Sequence, residues 1–446
     1  MERYSSNTTR QIWSELNRFN CMLKAEVAYL KALINLNIFN SYIANGSKDT
    51  INENRKNALK QYNNLFNYVL TSEDLIEIRA IEETTKHETL AFLSFLEQKF
   101  HTETKYLHFG LTSSDAIDTG LAIQINQMCF ELETQSDNLI QVLKNKSKEY
   151  ANTPIYGRSH GMHAEVTTFG LILAGHLMEV SRAKESIRLS GLNLRLGKFS
   201  GPVGNYNHCS SAVEKEACGY LYLEPAILST QIIARDRHAK FISDCAIFAG
   251  VIERLATTIR HLQRPEINEV AEGFSIGQKG SSSMPHKKNP ILCENLCGLA
   301  RIVRSTVQPA LEDINLWHER DMTHSSVERY IIPEATTTLC FMIERMSQVM
   351  TNLVVFPENM LQKIIDNDSY ATQSVLLTLI VNGFSREEAY KVVQDASFRS
   401  KANKSKFRTE IMLDQNISFD KAILQPCFDI ENLVKICSQQ VYRIVK

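Results

Sequence analysis

Gln278 to Pro290 reads Q-K-G-S-S-S-M-P-H-K-K-N-P, with a run of serines, a histidine, two lysines and an asparagine packed together. Lys287 and Lys288 sit one turn from hydroxyls that could act as nucleophile or base. Pro285 and Pro290 each remove a backbone donor and fix their own φ. With almost no apolar content, the stretch is expected to be a loop, and polar loops on a rigid scaffold are where chemistry is usually placed. The same composition also fits a flexible surface linker. Against that, Asn289-Pro290 reads as an N-cap followed by proline at N1, so the loop feeds a helix N-terminus, a ready site for anions.

Two further stretches carry polar chemistry. Residues 157–170 read G-R-S-H-G-M-H-A-E-V-T-T-F-G. On a helix, His160 and His163 at i and i+3 could bind a metal together with Glu165, but no further group stands nearby at ligand spacing. A single positioned acid or base is the better reading of His160, because imidazole titrates near working pH. His163 reads as a histidine satisfied in packing. Residues 317–329 read W-H-E-R-D-M-T-H-S-S-V-E-R. Arg320 and Arg329 among serines suit a phosphate or carboxylate clamp, since guanidinium gives forked, charge-assisted bonds. A solvated, salt-bridged face fits equally well.

The elements that must hold these groups read as helices. The chain has 446 residues, too many for one core, and only 18 glycines and 10 prolines, which favours helix over a strand-and-turn architecture. Apolar positions from Arg10 to about Phe39 recur at threes and fours, predicting one amphipathic helix. Phe241, Cys245, Phe248, Ile252, Leu255, Ile259 and Leu262 alternate fours and threes. Leu173, Leu177, Val180 and Ile187 share that rhythm, as do Leu339, Met342, Met346, Val349 and Leu353. Such sustained spacing predicts a bundle of long, near-parallel helices whose stripes are core. Ser385 with Glu388 predicts a capping box after a stop at Gly383.

The fold class expected is therefore all-α, with three helical domains at 1–111, 112–360 and 361–446. The charge balance of 49 basic to 50 acidic residues gives no sign of a nucleic-acid coating protein. No window approaches the ~18 apolar residues of a membrane span, and the first residues lack a hydrophobic signal core, so a soluble, cytoplasmic protein is expected. Ten cysteines without C-x-x-C pairs fit a reducing compartment, with Cys293 and Cys297 as packing residues.

The loop G-S-S-S-M-P-H-K-K-N-P resembles the signature loop of the fumarase/aspartase superfamily, G-S-S-x-M-P-x-K-x-N-P. Taken with H-F-G-L-T-S-S-D at 108–115 and the blocks at 158–170 and 317–330, in family order, the chain resembles the adenylosuccinate lyase branch. Histidine at 286 is typical of that branch. Ser159 stands where the family usually has threonine and Val166 where it usually has proline, the latter at an expected helix start. The likeness runs from Arg3-Tyr4 to about residue 400, with little family signal in the last ~45 residues.

The resemblance implies a β-elimination that releases fumarate from a succinylated amine, from adenylosuccinate and from the succinylated carboxamide ribotide. Another fumarate-releasing activity of the superfamily, such as argininosuccinate cleavage, is the alternative. By that likeness Ser281 abstracts the proton, His160 is the general acid and Glu294 orients it. Lys287 and Asn289 receive the charge of the aci-carboxylate, with Thr112, Ser113, Gln231 and Ser282 around the succinyl end, and Ser159 is a further substrate-binding position. His87 and His108 match further active-site histidines, Lys86 and Glu88 would face purine or ribose, and Arg3, Tyr4, Arg320, Ser325 and Arg329 match the phosphate clamp. The family needs no metal or organic cofactor, because the substrate's own carboxylate is the electron sink. It assembles as a homotetramer with sites shared between subunits, and neither nucleic acid nor membrane is an expected partner.

Overall fold

The computed structural model describes residues 2–38, 48–273, 283–284 and 286–446. The chain falls into two compact units. The first comprises Met1–Gln135, Ala183–Gly250 and Leu299–Met342, and the second Ser136–Arg182, Val251–Gly298 and Ile343–Lys446.

The fold is helical, as expected, with short strands between the helices. It begins with α1 (Asn7–Ile12), α2 (Glu15–Asn35), α3 (Lys48–Phe66), α4 (Ser72–Thr85) and α5 (Glu88–Phe100). The long α6 (Ser113–Glu149) leads to a hairpin of β1 (Pro154–Ser159) and β2 (Met162–Thr168), then to α7 (Phe169–Leu192). After β3 (Leu196–Gly197), α8 (Ser211–Tyr220) and β4 (Glu224–Pro225) come α9 (Asp236–Leu262) and β5 (Val270–Ala271). The chain continues through α10 (Ile291–Ser305), α11 (Val307–Glu312), α12 (Thr323–Thr351) and β6 (Val354–Val355). Five shorter helices close it: α13 (Pro357–Asp366), α14 (Thr372–Val381), α15 (Arg386–Asn403), α16 (Phe407–Leu413) and α17 (Ile430–Ile444). β3 and β4 pair in parallel, β5 and β6 antiparallel.

The stripes read from the sequence are core. Phe241, Cys245, Phe248, Ile252, Leu255 and Ile259 are at most 1% exposed, and the stripes of α7 and α12 are buried likewise. In the first unit, Tyr29, Leu30 and Leu33 of α2 pack with Val213 and Ala217 of α8, while Phe19, Met22 and Leu23 pack with Phe92 and Phe95 of α5. In the second unit, Val375, Leu379, Val392 and Val393 form the centre of a separate cluster. The capping box of α15 is present, with Ser385 Oγ accepting from the Glu388 amide. All ten cysteines are free thiols, and Cys293 and Cys297 are buried.

Two local expectations fail. The single helix read from Arg10 onward is broken at Trp13-Ser14. Ser14 is extended, and its hydroxyl accepts from the Asn17 amide at 3.1 Å, so it starts a new helix. The apolar spacing runs straight through this break and conceals it. Residues 157–168, where a helix start was expected near Val166, form the β1–β2 hairpin instead. His160 and Gly161 both have positive φ, +54° and +77°, the pattern of a two-residue hairpin turn. Val166 is therefore a strand residue facing Tyr156, not a helix start.

Candidate functional site

Chemistry-bearing side chains gather in the first unit around the starts of α5, α6 and α12. His87 caps α5, its Nδ1 accepting from the Leu90 amide at 3.3 Å, which leaves the neutral ring's proton on Nε2. Lys86 precedes it in a left-handed conformation and pairs with Glu83 on the exposed surface. Glu88, in the first turn of α5, forks to both Arg18 and Arg329, its Oε2 lying 2.6 Å from Arg329 Nη2. Arg18 is mostly buried; desolvation first, then the charge of Arg329, lowers its pKa to about 10.

His108 also has positive φ, and both its backbone N–H and Nδ1 meet the buried carboxylate of Glu26, at 2.9 and 2.6 Å. Burial works against its protonation, but the charge and hydrogen bond of Glu26, with Asp115 beyond, outweigh this and raise its pKa. Thr112 is placed by Asp115, and Ser113 follows it as the first residue of α6. The Asp115 carboxylate accepts from the Thr112 amide at 2.8 Å and is locked to Lys198, a pair with no exposed surface.

Arg320, Ser325 and Arg329 line one cavity of about 290 Å³, together with Arg18, Arg235 and His324. The structure thus brings three of the five predicted clamp residues to one hollow. Arg320 donates from Nη1 to Gln231 Oε1 at 3.1 Å, joining a fourth predicted residue to them. Behind Arg320 lies a buried charge cluster. Arg235 forks to Asp118 at 2.8 and 2.9 Å and to Glu328, using all five of its N–H groups when the Ile233 carbonyl is included. Burial opposes ionisation of Glu328, yet the His324 hydrogen bond and the charge of Arg235 hold its pKa at about 2. Arg3 and Tyr4 are not among the lining residues; they sit in the 3-10 turn Glu2–Tyr4, with Tyr4 edge-on to Phe341.

In the second unit, Ser159 and His160 are exposed at the hairpin tip. His163 stacks flat on Tyr156, with centroids 4.1 Å apart, and partial desolvation followed by Arg158 lowers its pKa. His163 packs by one ring face on Tyr156 but is otherwise exposed, so it is only partly the packed histidine expected. The helical i, i+3 metal pair is not formed, and no cluster of three or more His, Cys, Asp or Glu among the described residues is placed to hold a metal ion. The hairpin is anchored by Arg158, which forks to the fully buried Glu269 at 2.7 and 2.9 Å.

Residues 283–284 and 286–290 are neither helix nor strand, as expected of a loop; Gly280, Ser281 and Ser282 lie outside the described residues. Lys287 and Glu294 are exposed, and Asn289 is half-buried ahead of α10. The expected anion site at that helix start is a correction. Pro290, not Asn289, supplies the first helical carbonyl, accepting from Glu294 N. The free amides of Leu292 and Cys293 already donate to the protein's own Glu272 carboxylate, at 3.1 and 2.7 Å. Gln263 ties the two sides together, accepting from the Glu272 amide and donating to the Lys288 carbonyl.

The sequence reading missed Arg18, Arg235 and Glu26, which carry no local signal. It also passed over His324 and Glu328, although they stand four apart in the first turns of α12, with Arg320 four residues ahead.

Comparison with known proteins adds a full-length frame. The lyase family pattern matches residues 2–305, and the adenylosuccinate lyase C-terminus pattern matches residues 368–444. The second match corrects the expectation that the last ~45 residues carry little family signal. An adenylosuccinate lyase of Helicobacter pylori is 37% identical, covering 98% of this chain and 97% of its own. One from Thermotoga maritima is 38% identical over 98% and 97%. Among solved structures, a fumarate lyase from Mesorhizobium superposes with a TM-score of 0.85 at 21% identity, covering 99% of this chain and 98% of that one.

Proposed function

The chain belongs to the adenylosuccinate lyase family of carbon–nitrogen lyases, and on that premise we propose that it releases fumarate from adenylosuccinate to give AMP, and from the succinylated carboxamide ribotide. The observation that carries the reading to a nucleotide substrate is the arginine-lined cavity, where Arg320, Ser325 and Arg329 meet. Guanidinium groups around one hollow suit a phosphate monoester.

In this proposal the elimination begins with proton removal beside a carboxylate. The dianionic aci-carboxylate so formed needs cationic and N–H donors aimed at it. Lys287 and Asn289 supply them, with Thr112, Ser113, Gln231 and Ser282 holding the succinyl end and Ser159 a further substrate-binding residue. Ser281 is the base, His160 protonates the leaving nitrogen, and Glu294 orients it. The exposed His160, on a rigid turn whose strands are pinned by Arg158 and Glu269, suits an acid that must meet substrate. His87 and His108 act at the leaving group and phosphate, Lys86 and Glu88 face the purine or ribose, and Arg3 and Tyr4 complete the phosphate clamp. The substrate's carboxylate serves as electron sink, so no cofactor is invoked. The working form is a cytoplasmic homotetramer built on three-domain subunits, its long helices shared between subunits. No helix among the described residues is long and apolar enough to cross a membrane.

The test is fumarate release, followed by absorbance, from adenylosuccinate and, separately, from argininosuccinate. Turnover of the first alone, abolished in both Ser281→Ala and His160→Ala, is expected. Turnover of argininosuccinate alone, or near-normal rates in either variant, refutes the assignment. Light scattering that shows an active monomer refutes the assembly.

A further inference from the structure

Arg320 is held from behind. Its Nε–H donates to His324 Nε2 at 3.1 Å, while His324 Nδ1 lies 3.1 Å from Glu328 Oε2. An arginine offers no acceptor, so His324 Nε2 must present its lone pair, and the ring proton must sit on Nδ1, pointing at the carboxylate. Glu328 cannot turn away, because Arg235 clamps both its oxygens. His324 is only 3% exposed and its carboxylate partner 8%. One tautomer of one buried ring thus fixes the direction of the Arg320 side chain. Arg320 in turn donates to Gln231 Oε1, which turns the amide nitrogen of Gln231 away from the arginine. The remaining Nη2 rests on the Met322 thioether at 3.1 Å, a weak acceptor that a phosphate oxygen can replace.

We propose that His324 is a positioning residue for substrate binding: as the Nδ1–H tautomer it aims the Arg320 guanidinium into the cavity and, through it, orients Gln231. The proposal rests on the nucleotide-lyase reading of the preceding section for the identity of the ligand, but not for the geometry.

Two substitutions separate positioning from simple packing. Asparagine can place its NH2 near the position of Nδ1 and keep the bond to Glu328, but it has no acceptor in reach of Arg320. Glutamine can place its carbonyl oxygen near Nε2 and keep Arg320, while giving up the bond to Glu328. His324→Asn is expected to raise KM for adenylosuccinate about tenfold or more, the worth of a hydrogen bond to a charged group, with kcat within about twofold. His324→Gln is expected to hold KM near the wild-type value with a lower melting temperature. A purely structural role gives the reverse order, and that result overturns the proposal, as does a fall in kcat at unchanged KM. Crystal structures of both variants form the second arm: Arg320 should leave Gln231 in His324→Asn and stay in His324→Gln. Arg320 unmoved in His324→Asn refutes the positioning role. If the wild-type protein releases no fumarate, the substrate reading fails and the crystallographic arm alone decides the role of His324.

Discussion

Arg235→Met removes the centre of the buried charge cluster and leaves its two carboxylates behind. Asp118 is 4% exposed and Glu328 8%, and both bond bidentately to the guanidinium. The size of the effect follows from Glu328. Its pKa falls from an ordinary 4.5 to about 2 in the folded protein, burial opposing and His324 and Arg235 favouring the charge. A depression of that size corresponds to about 3 kcal/mol of stability near neutrality. Removing one partner of a buried pair typically costs about 3–5 kcal/mol, because the surviving charge stays desolvated. Asp118, whose pKa is also lowered by Arg235 against its burial, adds to the loss.

The pH dependence fixes the interpretation. In the wild type the Glu328 contribution is complete above the unfolded pKa of 4.5 and is lost as pH falls toward 2. In Arg235→Met the abandoned carboxylates have folded pKa values above their unfolded ones, so the folded variant gains stability as pH falls. Urea unfolding at fixed protein concentration should therefore show a gap of about 3–5 kcal/mol at pH 7 that narrows toward pH 4. A gap below about 1 kcal/mol, or one unchanged between those pH values, refutes the buried-pair reasoning.

Further outcomes follow from the same structure. Glu26→Gln should lower the pKa of His108, read by NMR titration. Because the folded pKa is raised, the pair's stability is full below the ordinary 6.5 and lost as pH rises through the folded value, so the gap to wild type should shrink from pH 6 to pH 9. Arg158→Met should destabilise the second unit by about 3 kcal/mol, since Glu269 is fully buried. Lys363→Met, at 3.7 Å from the same carboxylate and part-exposed, should cost less in the same urea titration. Glu272→Ala strips the cap from α10 and should lower stability by about 1–2 kcal/mol, with faster amide exchange at Leu292 and Cys293.

What the sequence made legible was periodic or local. The stripe from Phe241 to Leu262 repeats often enough to fix a face, and Ser385 with Glu388 carries its whole motif within one turn. The hairpin was not read from the sequence, where only a helix start near Val166 was expected. The competing signals, Gly157, Gly161 and the β-branched Val166-Thr167-Thr168, required weighing backbone geometry above side-chain chemistry. The start of α10 was misread for a different reason. Glu272 reaches that helix from across the intervening loop, and no local pattern announces such a partner. Arg18 and Arg235 look like surface residues in sequence; only packing reveals that they are buried.

The arginines of the cavity are not equivalent, and the difference bears on how a dianion would be received there. Arg235 is saturated by Asp118 and Glu328, and Arg18 and Arg329 share the single carboxylate of Glu88. Arg320 is bonded instead to neutral groups, Gln231, His324 and Met322. Desolvation lowers its pKa, outweighing the nearby charge of Asp118, and the charge of Arg235 lowers it further. A phosphate reaching Arg320 displaces a thioether rather than a carboxylate, whereas at Arg329 it competes with Glu88. In the proposed reaction Arg320 is thus the first anchor and Arg329 the second.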